Sequence, residues 1–185
     1  ELVVTRNTPT DEDLVVTIQN GDPSETNPPL TVTIPAGEES VAFLVDPVDD
    51  PIVDGDQTSP ITVTAPGFTP DTQDVLVEDD DAPTLTIEPG PNTPIDPATG
   101  LPVTQENGDP VELVVTRNTP TDEDLVVTIQ NGDPSETNPP LTVTIPAGEE
   151  SVSFLVDPVD DPEVDGDQTS PITATAPGFT PDTQD

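Results

Sequence analysis

The sequence predicts an all-β chain: antiparallel Greek-key β-sandwiches of about seven strands, set in tandem. Three observations predict it. Apolar residues fall in short runs of Val, Ile and Leu interleaved with Thr, the pattern of half-buried strands. Clusters of Asn, Asp, Gly and Pro punctuate those runs roughly every 10–16 residues, with no helical period between them. Residues 1–74 then return as residues 112–185, a period of 111. The 74 paired positions differ at three: Ala42 against Ser153, Ile52 against Glu163 and Val63 against Ala174. A period this long suits one small domain rather than a solenoid turn.

Within one period the strand candidates run in order. Residues 1–6 open with Leu2-Val3-Val4-Thr5, and residues 14–19 follow the acidic stretch Asp11-Glu12-Asp13 and stop at Asn20-Gly21-Asp22-Pro23. Residues 30–34 alternate Thr with Leu, Val and Ile and end at Pro35-Ala36-Gly37; residues 40–45 carry Phe43. Residues 61–65 close at Pro66-Gly67, 74–78 lead into Asp79-Asp80-Asp81, and 84–88 open a further strand, with a weaker candidate at 101–105. The outward Thr positions keep strands β-prone while giving them a polar face, and the whole is expected to be immunoglobulin-like in build. Residues 89–100 hold Pro89, Pro91, Pro94 and Pro97 and read either as a stiff linker or as a kinked approach into the sandwich. The expected domains are 1–81, a first repeat without its first strand in this span, and 82–185, a second without its last strand. The span reads as a window from a longer repetitive array.

Composition narrows the function. Thirty-nine acidic side chains face two basic ones, Arg6 and Arg117, for a net charge of −37. Such a field repels phosphate backbones and anionic membranes, so neither nucleic acid nor a membrane is an expected partner. No apolar run approaches the roughly 20 residues that span a bilayer as a helix. Cys and His are absent, which removes thiolate nucleophiles, the commonest general base and the usual transition-metal ligands. Trp and Tyr are absent too, so paired carboxylates have no aromatic platform for a sugar. The chain is not expected to be an enzyme.

If successive strands alternate in direction, one end of the sandwich collects four acidic segments. These are 104–111 before the first strand, 20–29, 46–60 and 78–83. Two carboxylates 4 Å apart repel by about 4 kcal/mol at an effective dielectric near 20. A crowd of them calls for cations, and oxygen ligands without His or Cys favour Ca²⁺. The plainer alternative is a set of solvated acidic loops.

In these segments the chain resembles a Calx-β domain. The residues that carry the likeness are Glu106-Asn107-Gly108-Asp109, Thr33-Ile34-Pro35-Ala36-Gly37-Glu38, Asp49-Asp50-Pro51-Ile52-Val53-Asp54 and Val77-Glu78-Asp79-Asp80-Asp81. The resemblance implies a seven-stranded sandwich and a Ca²⁺ site. Its implied ligands are Glu106, Asp49, Asp50, Asp54, Asp79, Asp80 and Asp81 with the carbonyl of Ile52, and in the second copy Asp160, Asp161 and Asp165. Glu25 or Asp22, and Glu136 or Asp133 in the second copy, stand nearest to the family's remaining acidic ligand. The implied role is an extracellular, cell-surface structural repeat: a calcium-stiffened stalk or fibre module whose partners are neighbouring repeats of the same chain. The alternatives are a subunit that assembles with identical chains into a filament, sheath or matrix, and, more remotely, a calcium sensor.

Overall fold

A computed structural model describes residues 1–162 and 166–185. Glu163, which marks one difference between the copies, and Asp165, a candidate ligand, lie outside the described residues. The chain forms two compact units, Glu1–Asp80 and Asp81–Asp185. Among the described residues there is no helix.

The first unit contains β1 (Leu2–Thr5), β2 (Leu14–Asn20), β3 (Thr26–Asn27), β4 (Thr31–Ile34), β5 (Ser40–Phe43), β6 (Asp46–Pro47), β7 (Gln57–Thr64) and β8 (Asp71–Val77). One sheet has the order β4-β2-β7-β8; β1 pairs with β5 and β3 with β6 in two short ladders. All are antiparallel, with Leu2 opposite Phe43, Leu14 opposite Ile34, Asn20 opposite Ile61 and Gln57 opposite Val77. Alternation decides which side chains go inward. In β2, Val16 and Ile18 are buried while Val15, Thr17 and Gln19 face water. Ile18, Phe43 and Ile61 pack together across the two layers, with Leu2, Val4 and Val75 beside them. Each fully buried aliphatic side chain of this kind stabilises by about 1.5–3 kcal/mol.

The second unit contains β9 (Leu85–Pro89), β10 (Val111–Arg117), β11 (Leu125–Asn131), β12 (Thr137–Asn138), β13 (Thr142–Ile145), β14 (Ser151–Pro158), β15 (Ile172–Thr175) and β16 (Asp182–Gln184). Its two sheets have the orders β12-β14-β10-β9 and β13-β11-β15-β16. Strand β10 pairs with β9 and β14 rather than with its successor β11, which lies in the other sheet and pairs with β13 and β15. That crossing between layers is the Greek-key antiparallel sandwich read from the sequence. Leu85, Ile87, Val115, Val127, Ile145 and Ala174 form much of its core.

Two expectations change and one open choice is decided. The candidate at 61–65 is a longer strand, Gln57–Thr64. Pro60 is tolerated in it because the ladder to β2 begins only at Ile61, and Gly21 N–H donates to the Pro60 carbonyl at 2.9 Å. The candidate at 101–105 is not a strand; Pro102 makes only an isolated bridge to Ile95. Residues 90–110 are an excursion between two paired strands, β9 and β10, so the Pro-rich segment is a kinked approach and not a linker. Its turn is held by Asp96, which accepts from Ala98 N at 3.0 Å and Thr99 Oγ1 at 2.8 Å. These hydrogen bonds, Ala98's first, hold the Asp96 carboxyl below the usual carboxylate range.

The two arginines, read from the sequence only as charges, are buried. Arg6 donates from Nε to the Glu38 carbonyl at 3.0 Å, and its terminal nitrogens donate to the Glu12 and Pro35 carbonyls at 2.7 and 3.0 Å. Arg117 reaches the equivalent carbonyls of Glu123, Glu149 and Pro146 through its terminal nitrogens alone. Each guanidinium fork gathers the backbone carbonyls of two loops at the sandwich end where β1 or β10 finishes.

Candidate metal centre

The antiparallel ladders of the first unit fix which loops meet at the opposite end. Strand β2 finishes there at Asn20 and β8 at Val77, while β7 starts there at Gln57. Segments 21–30, 48–56 and 78–80 therefore share one end, with the start of β1.

Each segment is held locally. A buried polar set anchors the first: Thr26 Oγ1 and Ser59 Oγ meet at 2.7 Å, and Ser59 Oγ donates to Asn20 Oδ1 at 3.1 Å. Thr26 and Ser59 are 2% and 0% exposed, so this set must be satisfied internally. The second copy repeats it with Asn131, Thr137 and Ser170. Only the turn cluster at Asn20-Gly21-Asp22 hints at this anchor in the sequence. Segment 48–56 is tied to the first by Val48 N–H, which donates to the Glu25 carbonyl at 2.8 Å. Within it Asp50 Oδ1 accepts from Ile52 N at 2.8 Å, and Asp54 N–H donates to the Ile52 carbonyl at 3.1 Å. Gly55 adopts a φ of 80°, a left-handed conformation that suits glycine. The exit segment is bolted on in both directions. Gly55 N–H donates to Asp79 Oδ2 at 2.7 Å, and Asp79 N–H donates to Asp56 Oδ1 at 3.2 Å.

Two carboxylate groupings result. Asp49, Asp80 and Asp81 each offer an oxygen, all within 4.8 Å of one another. Oxygens on opposite sides of one Ca²⁺ ion stand about 5 Å apart, so this spread suits a single hard cation. The second grouping surrounds Glu25, 9% exposed. Burial pushes the Glu25 carboxyl above the usual carboxylate range, and the charges of Asp54, Asp22 and Asp50 push the same way against a hydrogen bond from Ser24. Asp49 and Asp50, adjacent in sequence, join the two groupings.

The implied ligands thus occupy different positions. Asp49, Asp80 and Asp81 come together; the charges of Asp54 and Asp50 act on Glu25. Asp79 has one oxygen on Gly55 N–H, and the Ile52 carbonyl accepts from Asp54 while keeping a second lone pair. Glu106 belongs to the second unit, in an exposed turn closed by Gly108 N–H on the Gln105 carbonyl at 2.7 Å. That turn precedes β10, the end at which Asp160 and Asp161 follow β14. Glu136 repeats the backbone tie of Glu25, its carbonyl accepting from Val159 N–H at 2.8 Å.

No protein-family model and no curated protein matches the chain. Among solved structures it is similar to the calcium binding domain CBD12 of CALX1.1, at 14% identity, covering 94% of this chain and 71% of that one with a TM-score of 0.36. It is also similar to CBD12 from CALX1.2, at 13% identity with the same coverage and a TM-score of 0.39. The sandwich assignment stands on this chain's own strand order.

Proposed function

We propose that the chain is a non-enzymatic structural module of an extracellular, cell-surface protein, repeated in tandem and stiffened by Ca²⁺ bound at the acidic loop end of each repeat. The observation that carries this reading is the convergence of Asp49, Asp80 and Asp81 within 4.8 Å. Glu25 supports it, because a carboxyl crowded by three like charges gains most from a cation. Asp79 supports the stiffening, because its hydrogen bonds already fasten the exit segment to the 48–56 loop and a cation on Asp80 and Asp81 adds to that fastening. Near-identical copies suit a repeated mechanical element better than a sensor, which needs distinct modules.

The test is melting of the full chain with chelator, with Ca²⁺, and with Na⁺ at equal ionic strength. A ligand that binds only the folded state stabilises by about 2.7 kcal/mol at a hundred times its Kd. Ca²⁺ is expected to raise Tm well beyond matched Na⁺, and Asp80→Asn to remove that gain from the first unit. Equal recovery with NaCl would mean simple screening and would end the calcium reading.

A further inference from the structure

The chain contains eight Asp–Pro bonds, and the fold treats one of them differently. An Asp–Pro bond is open to attack from within. The aspartate carboxylate stands beside the peptide carbonyl, and the tertiary proline nitrogen takes a proton and departs more readily than an ordinary amide nitrogen. Four of the eight aspartates engage their carboxylate on a backbone N–H two residues ahead. Asp22 accepts from Ser24 N at 3.2 Å, Asp133 from Ser135 N at 3.1 Å, Asp50 from Ile52 N at 2.8 Å and Asp96 from Ala98 N at 3.0 Å. A carboxylate held in this way is a weaker nucleophile with a fixed orientation. Asp46–Pro47 and Asp157–Pro158 lie in ladders, opposite Thr26-Asn27 and Thr137-Asn138. Asp161–Pro162 adjoins the undescribed residues.

Asp109–Pro110 has neither restraint. It lies at the end of the 90–110 excursion, just before β10, and Asp109 is exposed with no hydrogen bond to its carboxylate among the described residues. Its peptide carbonyl is the group that is held. Thr104 Oγ1 donates to the Asp109 carbonyl at 2.7 Å, with a longer approach of 3.3 Å to the Gln105 carbonyl. Gly108 makes room for that hydroxyl, since a Cβ at this position would stand 2.9 Å from Thr104 Oγ1 and 3.0 Å from the Gln105 carbonyl. Pro110 keeps residue 109 out of the helical region and extended. Asp22 also has a polarised carbonyl, accepting from Thr26 N at 3.2 Å, but its carboxylate is engaged.

We propose that Asp109–Pro110 is a self-cleavage site, with the Asp109 carboxylate as nucleophile, the Thr104 hydroxyl as donor to the developing oxyanion and water as co-reactant. One carboxylate oxygen of Asp109 attacks the carbon of the Asp109 peptide carbonyl. A C–O bond forms and closes a cyclic anhydride, and the C–N bond to Pro110 breaks. The electron pair stays on the Pro110 nitrogen, which takes a proton from solvent. Water then opens the anhydride, so that one fragment ends at Asp109 and the other begins at Pro110. Nothing is oxidised or reduced. A donor already in place at this distance stabilises the charge that develops on the carbonyl oxygen. The cut is single-turnover and falls in a loop. Strand β9 therefore stays paired with β10 through Leu85–Pro89, and the two fragments remain in one fold. The inference does not rest on cation binding.

The experiment incubates the full chain in mildly acidic buffer with excess chelator, folded and in guanidinium, and reads the fragments by mass spectrometry. From the folded chain, 1–109 and 110–185 are expected ahead of the fragments of every other Asp–Pro bond, leaving a native sizing column together. Asp109→Ala should abolish this cut. Thr104→Val should slow it by about tenfold, less than a buried oxyanion donor contributes because the loop is open to water, and Thr104→Ser should restore it. Melting curves of the variants report that the fold is kept. In guanidinium the preference for 109–110 should vanish. The proposal is overturned if the folded chain is cut no faster at 109–110 than at the other Asp–Pro bonds, or if Thr104→Val is cut as fast as Thr104→Ser. It is equally overturned if the preference survives guanidinium, which would assign it to local sequence and not to the fold.

Discussion

At the scale of single residues, two side chains show how environment decides role. Arg6 is 6% exposed in a chain of net charge −37, yet the acceptors of its guanidinium are the backbone carbonyls of Glu38, Glu12 and Pro35. A lysine keeps the charge but cannot present the planar fork, so Arg6→Lys should strand buried carbonyls. We expect a loss of about 1–3 kcal/mol in the first unit, read by denaturant unfolding; a change within error would show that water replaces the fork freely. Glu25 is the opposite case, a group whose ionised form the fold resists. Its folded pKa is raised above its ordinary value of 4.5, so its contribution to stability is fully present below that value and is lost as pH rises through the raised one. Without divalent cations, stability should therefore carry a decline above pH 4.5 that Glu25→Gln removes. With Ca²⁺ the same substitution should cost part of the gain in Tm, because the carboxylate is then the favoured form. A decline of the same size in wild type and Glu25→Gln would show that the crowding at Glu25 has no energetic weight.

Among the elements, the strands were legible and their fastenings were not. Alternation of Val, Ile and Leu with Thr announces β2, β4 and β11 because a sheet with one wet face has a period of two. Antiparallel parity then sends 21–30, 48–56 and 78–80 to one end, and it does so without any knowledge of contacts. Sequence patterning has no means of showing the backbone acceptors of Arg6 and Arg117, because a carbonyl has no residue signature. It equally hides the Asn20–Thr26–Ser59 anchor, whose members read as turn and strand polar residues until Thr26 and Ser59 are found buried. The candidate at 101–105 failed because a Pro-rich approach with one bridge resembles a short strand in composition. Asp79, an expected ligand, also ties the loops together: its Oδ2 accepts from Gly55 N–H and its own N–H donates to Asp56. Asp79→Asn should therefore loosen segment 48–56, speeding amide exchange at Gly55 and Asp79, while Asp80→Asn should leave those amides protected and affect only the response to Ca²⁺. Equal exchange in the two variants would assign both residues the same role.

Over the whole molecule, two nearly identical stretches differ in burial because the 185-residue span supplies a β9 strand, with Leu85 and Ile87, to the second unit and holds no counterpart of it for the first. The second unit's core cluster includes Leu85, Ile87, Leu113, Val115 and Val156 as buried residues, whereas the first unit's cluster has only Ile18, Phe43 and Ile61 buried, with Leu2, Val4 and Val45 half-covered. Stability scales with apolar area removed from water, so the first unit should be the weaker by several kcal/mol if five aliphatic side chains each gain even part of the ~1.5–3 kcal/mol of full burial. Two compact units of unequal stability need not melt as one, and a single Tm would then describe neither. Calorimetry of the full chain in chelator should resolve two transitions. Ile61→Ala should lower only the earlier one and Ile172→Ala, its counterpart, only the later one, each by the amount expected of a ~2–5 kcal/mol core truncation. Native-state amide exchange offers a second reading: Val127 and Ile129 should outlast Val16 and Ile18, although the strands that carry them are identical in sequence. One cooperative transition moved equally by both substitutions would show that the units share their stability, and the difference in burial would then have no thermodynamic consequence.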